Sequence, residues 1–309
     1  MKILYGSDTC CYKDITQYLF HKIYIFTNIY IPQNETFRAE LFSDPCPNHL
    51  KNIVIIDNDQ NSTIYNSGEK IMINTAKKSI KQMINSDVNY INASSAEDKL
   101  QIIHNYVDLK YGNMAGEYPE QIMAMTFISP DSKVLEIGSN IGINSIVIST
   151  ILNDDKNLVT LECDKKHIQK LNFHKYSNGY EFNIEPRALS SLPLAQRGWH
   201  TFPIENGVVP TDSIKIDTIT YDEITKKYNI NFDTLVADCE GALYFILKDM
   251  PYILNDIKLL IVENDYIDIQ HKKFVDNILL QYGFNRIYFK EGGWENGDCY
   301  DVFYEVWKK

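Results

Sequence analysis

The chain reads as an α/β protein: a Rossmann-like, mostly parallel seven-stranded sheet with a C-terminal antiparallel hairpin, preceded by a small β-rich domain. Three observations carry this. Lys133 to Ile151, KVLEIGSNIGINSIVISTI, joins a short apolar run to a glycine turn and then to apolar residues at helical spacing. After it, short apolar runs and amphipathic stretches keep alternating, the pattern of strand–helix–strand crossovers. Residues 1–93 instead carry several short apolar runs between turn clusters, with little helical period.

In the central stretch, Val134, Leu135 and Ile137 form the strand, and Gly138, Ser139, Asn140 and Gly142 the turn. Ile143, Ile146, Val147 and Ile151 supply a helix face, although so many β-branched residues also favour a strand. The glycines decide for strand–turn–helix, because they let backbone pass close to a ligand at the strand's carboxyl end. The pattern is G-x-x-x-G with Glu136 before it, not the G-x-G-x-x-G that seats a pyrophosphate on a helix N-terminus. An acid beside such a turn suits a ligand bearing a cationic amino group, as S-adenosylmethionine (SAM) does. Leu158 to Leu161 is a second apolar strand running into Glu162, about two dozen residues past Gly138, near the spacing at which an acid meets ribose hydroxyls.

At 309 residues and 44% hydrophobic content the chain can build one large or two ordinary domains. No apolar run reaches the ~18 residues of a membrane span, and Met1 to Tyr5 lacks the pattern of a signal peptide. Cysteines 10, 11, 46, 163, 239 and 299 show no metal-ligand spacing and read as reduced thiols in a cytoplasmic setting, the host cytoplasm if the source is viral. A formal net charge of −11 disfavours anionic membranes and nucleic acid as partners. The abundance of Asn, Ile, Lys and Tyr reads as the base bias of an AT-rich bacterium or a large DNA virus.

In residues 1–93, strand candidates are Ile3–Tyr5, Ile23–Phe26, Ile29–Ile31, Ile53–Ile56 and Ile71–Ile73, with a short helix from Ile15 to Phe20. Thr36, Arg38 and Glu40 alternate as on the solvated face of a strand. The domain reads as a packing or dimerisation module, through which a homodimer would form, or as a glycan contact. Residues Asn92 to Ser95 mark the boundary, so the second domain is 94–309. Ser95 is an N-cap, with Asp98 completing a capping box, for a helix from Ala96 to about Tyr111.

A helix from about Tyr118 to Phe127 follows; Glu117, Tyr118 and Glu120 at its start either border the ligand or complement the helix dipole. Beyond Glu162 come a helix near Lys165–Tyr176, a strand Glu181–Glu185, and the segment Pro186 to Ser190 with Ala188 as a cofactor contact. A looser section, Leu192 to Val209, holds Trp199 and His200. Strand and helix resume over Ile214–Tyr228, a strand over Phe232–Asp238, a helix over Gly241–Leu254 broken at Pro251, and a strand over Lys258–Glu263. A helix Lys272–Tyr282 leads to Phe284–Phe289 and Tyr300–Val306, joined by glycine-rich residues as an antiparallel hairpin.

Four segments resemble the FkbM family of SAM-dependent methyltransferases over residues ~115–309. LEIGSNIG is similar to its first SAM motif, Leu161-Glu162 to its ribose acid, and Asp238-Cys239-Glu240-Gly241 to its D-x-E-G signature, while Ile261 to Asn264 resembles its acid-bearing fifth strand. The N-terminal part, IYIPQNETFRAELFSDP followed by LKNIVIID, looks like a β-module found ahead of glycan-processing domains. One departure stands out: Leu243 occupies the position where the family carries a further acid. The resemblance implies methylation of a hydroxyl on a sugar, sugar nucleotide or glycan. A cap-type nucleic-acid methyltransferase and a non-catalytic scaffold with the same fold are the competing readings.

The implied cofactor set is Glu136, Gly138, Ser139, Asn140, Gly142, Glu162 and Ala188. For catalysis, Asp238 and Glu240 share a face at the strand end by their i, i+2 spacing, and His200 is a loop base of suitable ordinary pKa. Asp238, Glu263 and Asp265 are the candidate ligands of a divalent cation such as Mg²⁺. Glu240 also reads as an anion capping a helix begun at Gly241. His167, His174 and His271 fall on helices and read as surface residues.

Overall fold

The computed structural model describes residues 1–309 except 23, 26, 27, 32, 33, 75–78, 84–94, 108 and 294–296. Parts of the expected strand at Ile23–Phe26, the boundary residues Asn92 to Ser94, and Trp294 to Asn296 of the final turn therefore lie outside the described residues. The chain divides into two compact units, Met1–Lys110 with Phe173–Glu181, and Tyr111–Asn172 with Phe182–Lys309.

The larger unit is built on seven strands: β1 (Val134–Ile137), β2 (Leu158–Leu161), β3 (Asn183–Glu185), β4 (Thr234–Ala237), β5 (Leu259–Glu263), β6 (Asn285–Lys290) and β7 (Tyr304–Lys308). Their order across the sheet is 3-2-1-4-5-7-6. The first five are parallel, whereas β7 runs antiparallel to both β5 and β6. This is the Rossmann-like plan that the sequence predicts. From β1 the chain winds outward through β2 and β3, then returns to β1's other side through β4 and β5. Right-handed crossovers on opposite sides of β1 place their helices on opposite faces of the sheet.

Every residue of β1, β2 and β4 is buried, which is why these strands read as continuous apolar runs rather than alternating ones. The principal helices are α1 (Tyr118–Phe127), α2 (Ile143–Ile151), α3 (Lys165–Ser177), α4 (Tyr221–Tyr228), α5 (Leu243–Asp249) and α6 (Ile269–Gln281). α4 begins in a capping box, Thr220 accepting from the Glu223 amide and Glu223 from that of Thr220. The expected loose section between β3 and β4 is ordered instead. Leu194–Arg197 and His200–Pro203 pair antiparallel, and Ile214–Ile216 adds a third strand. Gly198, at φ +61°, makes the tight corner between the first two.

Glu185, at the end of β3, shows how this unit holds a buried charge. It is fully buried and accepts from Arg187 Nε at 2.6 Å, Lys227 Nζ at 2.8 Å and Tyr228 Oη at 3.2 Å. Burial alone would raise its pKa, but the hydrogen bonds from Arg187 and Lys227 outweigh that and hold it below the usual glutamate value. Glu185→Gln is therefore expected to cost about 1–3 kcal/mol at pH 7. A depressed carboxylate stabilises the fold above its unfolded pKa and ceases to as pH falls through its folded one. The gap between the two proteins in urea should hence close below about pH 4, and a gap of equal size at pH 3 would refute the ion-pair account.

In the smaller unit, one sheet pairs Lys2–Gly6 with Tyr12–Asp14 and Asn52–Ile56, the last also with Ser62–Tyr65. A second pairs Tyr24–Ile25, Asn28–Ile31, Lys70–Asn74 and Ser79–Met83. Ile3, Tyr5, Leu19, Ile31, Ile53 and Ile71 belong to its core. The expected helix after Ile15 forms as Thr16–Lys22, and Ser95 and Asp98 form the expected capping box of the helix Ala96–Tyr106.

Two expectations fail here. Thr36, Arg38 and Glu40 are not on a strand, because Glu35–Phe42 is a helix. Arg38, far from solvated, is fully buried and donates to the carbonyls of Asn66 at 3.4 Å and Glu69 at 2.5 Å. The alternation was a coincidence of composition that helical packing overrode. The cysteines are also not all reduced: Cys10 and Cys46 are disulfide-bonded, their loops bringing the Cα atoms to 6.2 Å, within bonding range. Among the described residues no helix is long and apolar enough to cross a membrane.

Candidate functional site

The glycine turn is held by its neighbours on both sides. The amides of Gly138 and Ser139 both donate to the Leu161 carbonyl at 3.1 Å. Gly138 has φ +86°, and a Cβ there would lie 1.6 Å from the Asp238 carbonyl oxygen. Its missing side chain thus lets the ends of β1 and β4 approach each other, rather than making room for a ligand. Gly142, at φ +87°, leads into α2, and a Cβ on it would meet Leu171 Cδ1 at 2.3 Å. The Asn140 amide donates to Glu162 Oε2 at 2.8 Å, and the Asp164 amide to Oε1 at 2.7 Å. Glu162 therefore ties the turn after β1 to the turn after β2, and each of its oxygens keeps a lone pair for a ligand.

A cleft of about 860 Å³, partly open to solvent, lies along this carboxyl edge. Of the residues singled out in the sequence, Gly138, Asn140, Glu162, Ala188, Asp238 and Glu240 line it. Leu161, Leu189 and Ile246 are apolar lining residues, and Gln196, Trp199 and Thr201 come from the inserted three-stranded sheet and its corner. Trp199 stacks on His167, ring centroids 5.1 Å apart and planes 15° from parallel. His167 is thus a cleft residue rather than a simple surface one. His174 is fully buried and His271 stacks on Tyr244 at 3.6 Å. Helical position alone does not tell an exposed histidine from a packed one.

Three expected cofactor residues do not line this cleft. Ser139 is buried, its hydroxyl donating to the Leu161 carbonyl at 3.3 Å, and Gly142 faces Leu171. Glu136 is buried within β1, where Ser145 Oγ donates at 2.5 Å, Thr160 Oγ1 at 2.6 Å and Asn144 Nδ2 at 3.4 Å. Burial raises its pKa and those three donors oppose the rise. Its role is internal: it joins β1 to α2 and β2.

Asp238 and Glu240 do lie together on the cleft, but not through strand periodicity. β4 ends at Ala237, and Glu240 takes the left-handed region at φ +52° with Gly241 at +78°. The D-x-E-G segment is a tight turn, and both acidic residues line the cleft. Glu240 does not cap the next helix: α5 starts at Leu243, and Ala242 before it makes no side-chain cap. Leu243 itself is buried in the core, as its apolar character requires. His200 is exposed and lines a second cavity of about 920 Å³ with Glu240, Asn264, Asp265 and Tyr266.

Acidic groups dominate the edge between β4 and β5. One carboxylate oxygen each from Glu120, Asp238 and Glu263 lie within 4.8 Å of one another. Burial, then the charges of Glu117, Glu120, Asp265 and Glu240, pushes Asp238 well above the usual aspartate range. Burial and the neighbouring Glu120 raise Glu263 as well, and burial raises Asp265. Glu117 is pushed up to about 8, by burial first and then by Glu120 and Glu136. The sequence pointed to Asp238, Glu263 and Asp265 as a group, but Glu120 from the first turn of α1 stands in the close trio and Asp265 does not. Its place beside Glu117 ahead of an apolar helix was the available signal, and a dipole-complementing first turn explained it equally well.

No protein-family model and no curated protein matches the chain. Solved structures it is similar to include an rRNA methylase from Streptococcus thermophilus, 8% identical, covering 62% of this chain and 94% of that one at a TM-score of 0.40. A ribosomal protein L11 methylase from Lactobacillus delbrueckii subsp. bulgaricus is 12% identical over 65% and 81% of the two chains, at a TM-score of 0.37. A precorrin-6y C5,15-methyltransferase from Geobacter metallireducens is 12% identical over 66% and 95%, at 0.36. Likenesses this distant add nothing to what the strand order and the cleft show by themselves.

Proposed function

We propose that the protein is a SAM-dependent methyltransferase, and that its acceptor is a hydroxyl of a sugar, sugar nucleotide or glycan. The observation that carries the first part is the cleft at the β1/β4 reversal of strand order, where open α/β sheets bind ligands. The Gly138–Asn140 turn and Glu162, joined by the Asn140 amide, border it together, and we assign the ribose hydroxyls to Glu162. The finer reading rests on the D-x-E-G turn, which resembles the FkbM signature and sets Asp238 and Glu240 on the same cleft.

Methyl transfer from a sulfonium is an in-line displacement, so the protein's main task is to align acceptor oxygen, methyl carbon and sulfur. A sugar hydroxyl is a weak nucleophile, and a nearby carboxylate that accepts its proton assists. The acidic edge opposes a nucleic-acid acceptor, whose phosphates it would repel. The smaller unit is proposed as a packing, dimerisation or glycan-contact module.

Titration calorimetry with SAM tests the reading. Binding is expected to the intact protein, with a loss of about 1–3 kcal/mol in Glu162→Ala, as for a charge-assisted hydrogen-bond pair. Because Glu162 also braces two turns, the thermal midpoint is followed in parallel. A folded Glu162→Ala protein with unchanged SAM affinity would remove the cofactor assignment. Transfer of a labelled methyl group from SAM into a glycan pool, against an RNA pool, tests the acceptor.

A further inference from the structure

Glu120, Asp238 and Glu263 come from three separate elements: the first turn of α1, the turn after β4 and the last residue of β5. Three oxygens that all lie within 4.8 Å of one another share a centre no more than about 2.8 Å from each, close to the 2.0–2.6 Å bonds of hard divalent cations. Glu120 is 5% exposed, and its Oε2 accepts no hydrogen bond. A buried carboxylate oxygen left without a donor is costly unless something positive meets it. The groups acting on Asp238 are acidic too: Glu117, Glu120, Asp265 and Glu240. Two other buried carboxylates are met by cations, Glu185 by Arg187 and Lys227, and Glu305 by Lys272 and Arg286, and a third, Glu136, by three neutral donors.

We propose that Glu120, Asp238 and Glu263 form a binding site for one divalent cation of the Mg²⁺ or Mn²⁺ type. All-oxygen, carboxylate-rich coordination without imidazole or thiolate suits hard cations, and a double positive charge offsets most of the charge of three carboxylates. Asp238 belongs both to this trio and to the wall of the cleft, so the ion would lie beside the cleft and leave coordination positions free. Resting on the methyl-transfer reading, those positions would take the acceptor hydroxyl and favour its ionised form. Binding itself does not depend on that reading.

Mn²⁺ serves as the probe, its free concentration read by electron paramagnetic resonance on the full chain without SAM. One ion is expected per chain, displaced by excess Mg²⁺. Glu120→Gln and Glu263→Gln keep shape and reduce repulsion, so both should fold, and each is expected to weaken Mn²⁺ binding at least tenfold. SAM affinity, measured on the same samples, should stay unchanged. An unaltered Mn²⁺ signal with the wild-type protein would overturn the site, since shared protons then suffice for the trio. Wild-type binding by Glu120→Gln would overturn it equally. Mn²⁺ binding together with no SAM binding would support the site while refuting the methyl-transfer reading.

Discussion

Gly138→Ala is expected to lower stability by about 3 kcal/mol or more, the sum of a left-handed backbone forced on a residue with a side chain and of an overlap that only backbone movement relieves. The added carbon would stand 1.6 Å from the Asp238 carbonyl oxygen, and backbone pinned by hydrogen bonds at the ends of β2 and β4 has little freedom to withdraw. Gly283→Ala is the matched control. Gly283 has φ +83° and open space where its Cβ would go, so it bears the backbone cost alone, about 1 kcal/mol. Denaturant midpoints of the two variants decide the point. Equal losses would mean that β1 and β4 separate easily, and that the close approach is unimportant. The sequence suggests that this glycine gives clearance to a ligand; the structure moves the clash onto the protein itself, so a loss of SAM binding in the variant would follow from unfolding.

Asp238→Asn is expected to reduce turnover by about 10²–10⁴, the usual span for a positioned acid–base group, while SAM binding persists. Stability should move the other way. With a chelator present, so that no cation offsets the charge, Asp238 is held among Glu117, Glu120, Asp265 and Glu240, and replacing its carboxylate with an amide of the same shape relieves that repulsion. A rise in thermal midpoint accompanied by loss of turnover is the mark of a residue kept for activity at a cost to the fold. Normal turnover with a raised midpoint would show that alignment alone drives the reaction. A lowered midpoint would show that Asp238 is structural, contrary to its place on the cleft.

Local pattern made much of the larger unit legible. Strands buried on both faces leave continuous apolar runs, and crossover helices leave a 3.6-residue period, so β1, β2, β4 and β5 and the helices between them appear in the sequence near their observed bounds. The glycine turn was readable because positive φ demands a special residue, and the acid after β2 because its distance along the chain is set by one βαβ unit. Glu162 therefore stands where the spacing put it, on the cleft. The N-cap at Ser95 was readable for the same reason, since a cap is chemistry within four residues.

What depended on distant chain was not readable. Glu136 and Glu162 look alike in sequence, each an acid at a strand's carboxyl end. Yet Glu136 turns inward because Ser145 and Thr160 happen to face it, and Glu162 turns to the cleft because the Asn140 amide does. Arg38 alternates like a surface residue, yet helical packing buries it beneath the carbonyls of Asn66 and Glu69. Glu120 reads as a dipole partner of its own helix, and only the sheet brings it to Asp238 and Glu263. The sequence by itself determined the order of elements, the glycine turn and the ribose-type acid, because these follow from backbone sterics and periodicity within short spans. The tertiary structure alone decided which carboxylates face the cleft, which are satisfied inside the protein and which meet one another, because side-chain direction and electrostatic environment are set by neighbours far away in the chain.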